Sequence, residues 1–126
     1  MVQNKCLRYI CKANYNTSST PLYKQMNILK MNDIYDLQLM KLMFAHSKNK
    51  LPPPLQQLFV PNARIHEHNT RSRNNPHIMS RSSAFISKTF LFQCPKLWST
   101  VSRDLKDLRS TKSFNAKQKK KIIHEY

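Results

Sequence analysis

Apolar residues recur at helical spacing in several stretches of the chain, and polar or proline-containing segments separate these stretches. Near the start, the pattern predicts a helix that the polar run 14–20 closes. No capping residue precedes it, so we expect Met1 to fall inside an element that is longer in a parent protein. A short second helix is predicted from Thr20 to Met26, with Thr20 as N-cap and Pro21 at the first helical position.

The clearest helical pattern runs from Asn32, a candidate N-cap, to Asn49, where the pattern ends. Asp33 and Asp36 suit the positive end of the helix dipole. The apolar residues cover more than one stripe: Ile34, Tyr35, Leu37, Leu39, Met40, Leu42, Met43 and Phe44. A helix with so wide an apolar surface must be packed on two sides, so we expect it at the centre of the domain or docked on a neighbouring one.

In the second half of the chain, the sequence pattern predicts shorter elements. The prolines at 52–54 indicate an extended spacer before a helical turn at 55–59, and short apolar segments in the 77–93 region indicate a β-hairpin. Further helical turns are expected at 95–101, after Ser102, and from about Lys112 to His124, capped by Ser110 or Thr111. The predicted fold is a mainly α single domain, residues 1–126, with a helical part (1–60), a basic loop (61–83) and a hairpin and helical part with a basic tail (84–126).

The charge balance indicates the kind of partner. There are 22 Lys and Arg against 6 Asp and Glu, a formal net charge of +16. Such a surplus repels itself unless a polyanion is nearby, and lysine or arginine placed on phosphates releases condensed counterions. RNA or DNA is therefore the expected partner, with an acidic protein as the alternative. We expect no membrane partner, because no apolar run approaches the roughly 20 residues that span a bilayer.

Other compositional features bear on compartment and turns. The three cysteines make an odd count, which favours a reducing compartment, nuclear or cytoplasmic, over a disulfide framework. The basic start imitates a mitochondrial transit peptide, but its helical pattern continues into folded chain. Glycine is absent, so turns with positive φ are expected to use asparagine where the apolar pattern breaks: Asn14, Asn16, Asn49, Asn62, Asn74 and Asn75.

The stretch IHEHNTRSRNNPHIMSR, residues 65–81, is the most polar candidate site, and it could hold a metal, a phosphate or nothing. A structural zinc site wants paired ligands, and the histidines, with Cys6, Cys11, His77 and Cys94, are too scattered to supply them. Arginines that alternate with short hydrogen-bonding residues suit backbone phosphates instead. The predicted contacts are Arg64, His68, Arg71, Arg73 and Arg81; a solvated loop of structural arginines is the alternative.

A second positive cluster lies near the end of the chain: Lys117, Lys119, Lys120 and Lys121. Phe114 and Ile122 are placed to anchor the helix that carries it. These lysines are predicted to contact phosphates as point charges with little sequence preference, although the run also resembles a nuclear localisation patch. Trp98, with nearby Phe90 and Phe92, could stack on bases, but a position in the core is expected.

Catalysis by this chain alone is not expected. Two-metal nucleotidyl transfer needs converging carboxylates, and the candidates are Asp33 with Asp36 and Asp104 with Asp107. Each pair lies in the first turns of a predicted helix, where the dipole explains it. We therefore predict no catalytic residue, no metal and no cofactor.

The order of landmarks resembles a known family. The chain reads TPLYKQMNIL, DIYDLQL, LPPPLQQLF, HEHNTRSRN, FQCPKLWSTVSRDLKD and STKSFNAKQKKKII in succession. It resembles, over essentially its whole length, the C-terminal region of LINE-type, jockey-like non-LTR retrotransposon reverse transcriptases, after the polymerase thumb. In that family a glycine usually precedes Pro-x-Leu-Trp; Cys94 stands there, which puts the expected tight turn in doubt. The palm aspartate motif and the endonuclease domain of the family have no counterpart here.

The resemblance implies a fragment of a larger polyprotein, whose thumb and palm would be its partners. It would help hold template RNA or target DNA during target-primed reverse transcription. The alternatives are a structural segment that packs on the polymerase, an inactive truncated relic of a transposon, and an independent basic component of a ribonucleoprotein.

Overall fold

The computed structural model describes residues 1–65, 67–78 and 84–126, and seven α-helices lie in these ranges. They are α1 (Val2–Ile10), α2 (Ser19–Gln25), α3 (Met31–Ser47), α4 (Pro53–Gln56), α5 (Phe90–Thr100), α6 (Arg103–Lys106) and α7 (Thr111–His124). Single 3₁₀ turns occur at Asn62–Arg64 and Ile86–Lys88, and one antiparallel bridge joins Pro61 to Pro76. The predicted mainly α class is confirmed.

Helix α3 is the centre of the domain. Helices α5 and α7 both pack against it, and it buries apolar side chains toward both, as its wide apolar surface predicted. The main core consists of Leu39, Met40, Met43, Phe44, Phe59, Cys94, Trp98, Val101, Leu105 and Phe114. Phe114 stacks on Phe44 at a centroid distance of 4.5 Å and lies 6.2 Å from Trp98. This confirms Trp98 as a core residue and Phe114 as the anchor of α7.

Helix α7 runs antiparallel to α3. Its first turns place Phe114 on Phe44, its middle places Gln118 Nε2 3.2 Å from Met40 Sδ, and Tyr126 follows its end. The Tyr126 hydroxyl donates to Asp33 Oδ2 at the start of α3 and accepts a hydrogen bond of 2.9 Å from the Lys30 amide. Tyr126 is thereby fastened to the N-terminal end of the central helix.

Replacing Tyr126 by Phe is expected to lower the free energy of unfolding by about 1–2 kcal/mol, because both hydrogen bonds are lost. Burial, and then the Asp33 hydrogen bond, raise the pKa of Tyr126 from 10.0 to about 12. The folded state therefore keeps a proton that the unfolded chain releases near pH 10. The wild type should lose stability as pH rises from 10 to 12, and Y126F should lack this part of the loss.

Urea unfolding followed by circular dichroism across that pH range measures both effects. Tyr9→Phe is the control, because Tyr9 is exposed. Equal stability losses in Y126F and Y9F would contradict the fastening role of the Tyr126 hydroxyl.

A smaller core joins α1 to α2 through Leu7, Leu22 and Tyr23. Gln3 ties α1 to the start of α3, since its side-chain amide donates to Leu29 O and accepts from Met31 N, each at 3.0 Å. The first helix is thus part of the domain even though its outer face exposes apolar side chains.

Three helices end in a left-handed residue although the chain has no glycine. Lys12, Asn27 and Asn49 have φ of 52°, 55° and 55°, and each lies two residues after the end of α1, α2 or α3. In each case the backbone N–H of the following residue donates to the carbonyl five residues earlier, as Ala13 N does to Arg8 O at 2.9 Å. This is the long hydrogen bond of a Schellman motif. Asn49 was predicted at such a position. The other asparagines proposed for positive φ, Asn14, Asn16, Asn62, Asn74 and Asn75, do not adopt it.

Several predicted helix starts were wrong by a few residues. Helix α2 follows Ser18 instead of Thr20, and α3 follows Lys30 instead of Asn32. Helix α4 begins at Pro53, inside the proposed extended spacer, because the fixed φ of proline suits the first helical turn, where its missing N–H is not needed. The starts of α6 after Ser102 and α7 after Ser110 agree with the prediction.

The predicted hairpin is not formed by the described residues of the 77–93 region. Residues 86–88 form a 3₁₀ turn, and α5 begins at Phe90, five residues before the predicted start at Pro95. Burial of Phe92, Cys94 and Trp98 outweighs the backbone hydrogen bond that Pro95 removes inside the helix. Cys94 itself is helical and fully buried, so the tight turn that the family resemblance implied does not occur here.

Candidate nucleic-acid interface

Within the predicted basic loop, 61–83, the described residues of 61–76 form a closed structure whose ends are hydrogen-bonded to each other. We call residues 61–76 the arginine loop. Asn62 N donates to Asn75 O at 3.0 Å and Ala63 N to Arg73 O at 2.9 Å. Just outside the loop, His77 N donates to Val60 O at 2.7 Å. Two prolines, Pro61 and Pro76, form the bridge at the base.

The side chain of Asn62 fixes the inside of this loop. Its Nδ2 donates to Ser72 O at 3.0 Å, so its Oδ1 is the acceptor for His77 Nδ1 at 3.1 Å. His77 must then carry a proton on Nδ1. These bonds hold the two arms of the loop together without using an arginine side chain.

The arginines of the loop are consequently free to face solvent. Arg64 ends the 3₁₀ turn, and Arg71, Arg73 and His68 are exposed as well. Arg73 Nη1 donates to Asn69 Oδ1 at 3.1 Å. Three arginines against the one carboxylate of Glu67 give this loop a formal charge of +2, with histidine neutral. The predicted contact Arg81 lies outside the described residues, as does His66.

The predicted lysine cluster is divided by the helix that carries it. Lys117, Lys120 and Lys121 are exposed on one side of α7. Lys119 is half-buried and points about 200° around the helix from Lys117, since each residue turns the helix by about 100°. The exposed lysine face therefore has three members, and Lys119 does not belong to it.

Acidic side chains lie beside one end of this lysine face. Lys121 lines a cleft of about 260 Å³ with Asp33, Asp36 and Glu125, half of the six acidic residues in the chain. Burial raises the pKa of Asp36, and the neighbouring Asp33 carboxylate raises it further. These carboxylates weaken the attraction of Lys121 for phosphate, so the arginine loop is the better-placed contact surface.

The arginine loop and the lysine face lie near different parts of α3. Lys121 shares a cleft with Asp36, and Arg64 shares one with His46, ten residues further along the helix. Ten residues of helix rise about 15 Å, so the two basic groups do not form one continuous patch. A strand of nucleic acid would have to run along the domain to meet both.

A cleft beside the arginine loop was not predicted. It has a volume of about 620 Å³ and lies between the end of α3, α4 and the loop. Its lining is His46, Ser47, Asn49, Gln56, Gln57, Phe59, Val60, Pro61, Arg64, Asn74, Pro76 and Trp98. Only the paired prolines around the polar run, at 61 and 76, hinted in the sequence that this segment folds back on itself.

Gln56 is the central polar side chain of this cleft. Its Nε2 donates to His46 O at 2.9 Å and to Asn49 Oδ1 at 3.0 Å, while its backbone oxygen lies 3.1 Å from His46 Nε2. Both N–H bonds of the side-chain amide are used in this way, which leaves Oε1 as the one atom of the amide without a hydrogen bond. Oε1 is buried and has no hydrogen-bond partner.

The remaining candidate groups are placed as follows. In the described ranges, no group of three or more His, Cys, Asp or Glu is arranged to hold a metal ion. Cys6, Cys11 and Cys94 are free thiols, and burial raises the pKa of Cys94 to about 11. Asp33 and Asp104 lie in first helical turns as predicted, but Asp107 follows α6 at its C-terminal end, so the dipole does not favour it. Among the residues that the structure describes, no helix is long and apolar enough to cross a membrane.

In comparisons with protein-family models, with curated proteins and with solved structures, the chain matches none. The resemblance to retrotransposon reverse transcriptases therefore remains a prediction.

Proposed function

We propose that this chain is a nucleic-acid-binding accessory region of a LINE-type reverse transcriptase. In this role it holds template RNA or target DNA beside the polymerase and supplies no catalytic group. The observation that carries the proposal is the arginine loop, whose own backbone and Asn62 close it while Arg64, Arg71 and Arg73 stay exposed. Exposed guanidinium groups on a fixed loop suit phosphate oxygens, because the fork of donors meets two oxygens at once.

The high positive charge supports the same proposal. A formal charge of +16 attracts any polyanion, and the lysine face adds point charges away from the loop. The role in target-primed reverse transcription, and the placement in a nucleus or cytoplasm, come from the sequence resemblance and the composition.

The test is the salt dependence of binding to duplex DNA and to RNA, measured by fluorescence anisotropy. If about five phosphates are neutralised on duplex DNA, the log-log slope of affinity against salt should be near −4.5, because each contact contributes about −0.9. A slope near zero, or no binding at low salt, would remove the proposal.

One observation favours a second candidate, a segment that packs on a polymerase. The outer surfaces of α1 and the start of α3 expose large apolar side chains, among them Tyr9, Ile10, Met31 and Tyr35. A neighbouring domain could cover them. Under this alternative the separate chain should fold poorly, so a cooperative thermal melt of its circular dichroism would count against it.

A further inference from the structure

The cleft beside the arginine loop has the size and lining of a ligand site. Its volume of about 620 Å³ falls within the range of small-molecule pockets. Phe59, Pro76 and Trp98 are buried apolar residues that supply part of its wall. Asn49, Gln56, Gln57 and Asn74 supply side-chain amides. A flat molecule with apolar faces and polar edges fits such a lining.

The exposed side-chain amides of the cleft define which groups a ligand can bond to. Asn49, Gln57 and Asn74 line the cleft and are exposed, and an amide both donates and accepts hydrogen bonds. Gln56 Oε1 is shielded from solvent, so it does not bind a ligand in the cleft. The donors and acceptors on the edges of nucleobases match the exposed amides.

The charges around the cleft suit a ligand that carries a phosphate, such as a nucleotide. Arg64 is exposed and lines the cleft, whereas no aspartate or glutamate is among its lining residues. A phosphate attached to a ligand in the cleft would meet Arg64 without repulsion. Arg71 and Arg73 are also exposed and add positive charge to the closed loop that carries Arg64.

We infer that this cleft takes an unpaired base of a single-stranded nucleic acid while the arginine loop holds the neighbouring phosphates. This inference rests on the proposed function and makes it more specific. Single strands can turn a base out of the stack and insert it between protein side chains, whereas a base inside a duplex is not available. The domain then prefers single-stranded over duplex nucleic acid, with little base preference, since side-chain amides both donate and accept.

The test compares three probes at one low salt concentration: a single-stranded oligoribonucleotide, the same strand made abasic, and a blunt duplex of equal length. The intact strand should bind about 5- to 150-fold more tightly than the abasic strand, which is the range for one base contact. Gln57→Phe fills the cleft while every basic residue and the groups that bond Gln56 stay unchanged. It should remove the preference for the intact strand and leave duplex binding unchanged. Gln25→Phe, at an exposed glutamine of α2, is the matched control and should change neither.

The possible outcomes separate this inference from the proposed function. Salt-dependent binding with equal affinity for intact and abasic strands, or a preference that Q57F retains, would overturn the base site and leave the phosphate contacts standing. No binding to any probe would overturn both. Adenosine monophosphate is the fourth probe: if it binds in a way that Q57F abolishes while no strand binds, the cleft serves free nucleotides and the assignment to a strand is wrong.

Discussion

Replacing Phe114 by alanine is expected to lower the free energy of unfolding by about 3–5 kcal/mol, the largest loss for any single change considered. Phe114 is fully buried, stacks on Phe44 and lies against Trp98, so it joins α7 to both α3 and α5. Truncation removes the transfer free energy of a whole ring and leaves a cavity between three helices. A domain of this size has roughly 5–15 kcal/mol in all, so F114A should be close to unfolding at physiological temperature.

Urea unfolding monitored by circular dichroism measures this loss. Phe85→Ala is the matched control, because it makes the same chemical change at a side chain that is 78% exposed, and it should shift the midpoint very little. Similar midpoints for F114A and F85A would mean that α7 is not packed on α3 in solution. The basic tail would then be a flexible extension rather than a helix of the domain.

The position of α3 could be predicted because apolar residues recur along it at helical spacing, and that of α7 because Ser110 and Thr111 are candidate caps. Burial of Leu37, Met40, Phe44 and Phe114 then packs the two helices against each other. The start of α5 could not be predicted in the same way. Pro95 is typical of a first helical position, and only the contacts of Phe92 and Trp98 with distant residues reveal that the helix already began at Phe90.

The exposure of the loop arginines was predictable from the sequence, but the geometry of the loop was not. Arg64, Arg71 and Arg73 are exposed on a loop, as expected for residues without an apolar pattern around them. The closure of that loop depends on hydrogen bonds between residues that are 10–17 positions apart, and the adjoining cleft depends on side chains from α3, α4 and α5. Such long-range contacts leave no periodic signal. The sequence prediction grouped Lys119 with the other lysines, although the helical period alone separates it from them.

Replacing all three loop arginines by glutamine is expected to change the salt dependence of binding more than any other substitution that removes three positive charges. If Arg64, Arg71 and Arg73 each neutralise a phosphate on duplex DNA, the slope should change by about 2.7, from near −4.5 to near −1.8. Between 50 mM and 200 mM salt, the affinity of the wild type should then fall about 500-fold and that of the triple variant about 12-fold, from the same slopes.

The control removes the same three charges from elsewhere on the surface. Lys5, Arg103 and Arg109 are exposed and lie outside the arginine loop, so their triple change to glutamine also lowers the formal charge from +16 to +13. If general attraction to a basic protein dominated, the log-log slope of affinity against salt would change equally in the two triple variants. The loop would then have no special role. A loss confined to the loop variant means that the contacts are local. Lys117, Lys120 and Lys121 then account for part of the remaining slope, with the smallest share from Lys121, whose neighbours Asp33 and Asp36 oppose a phosphate.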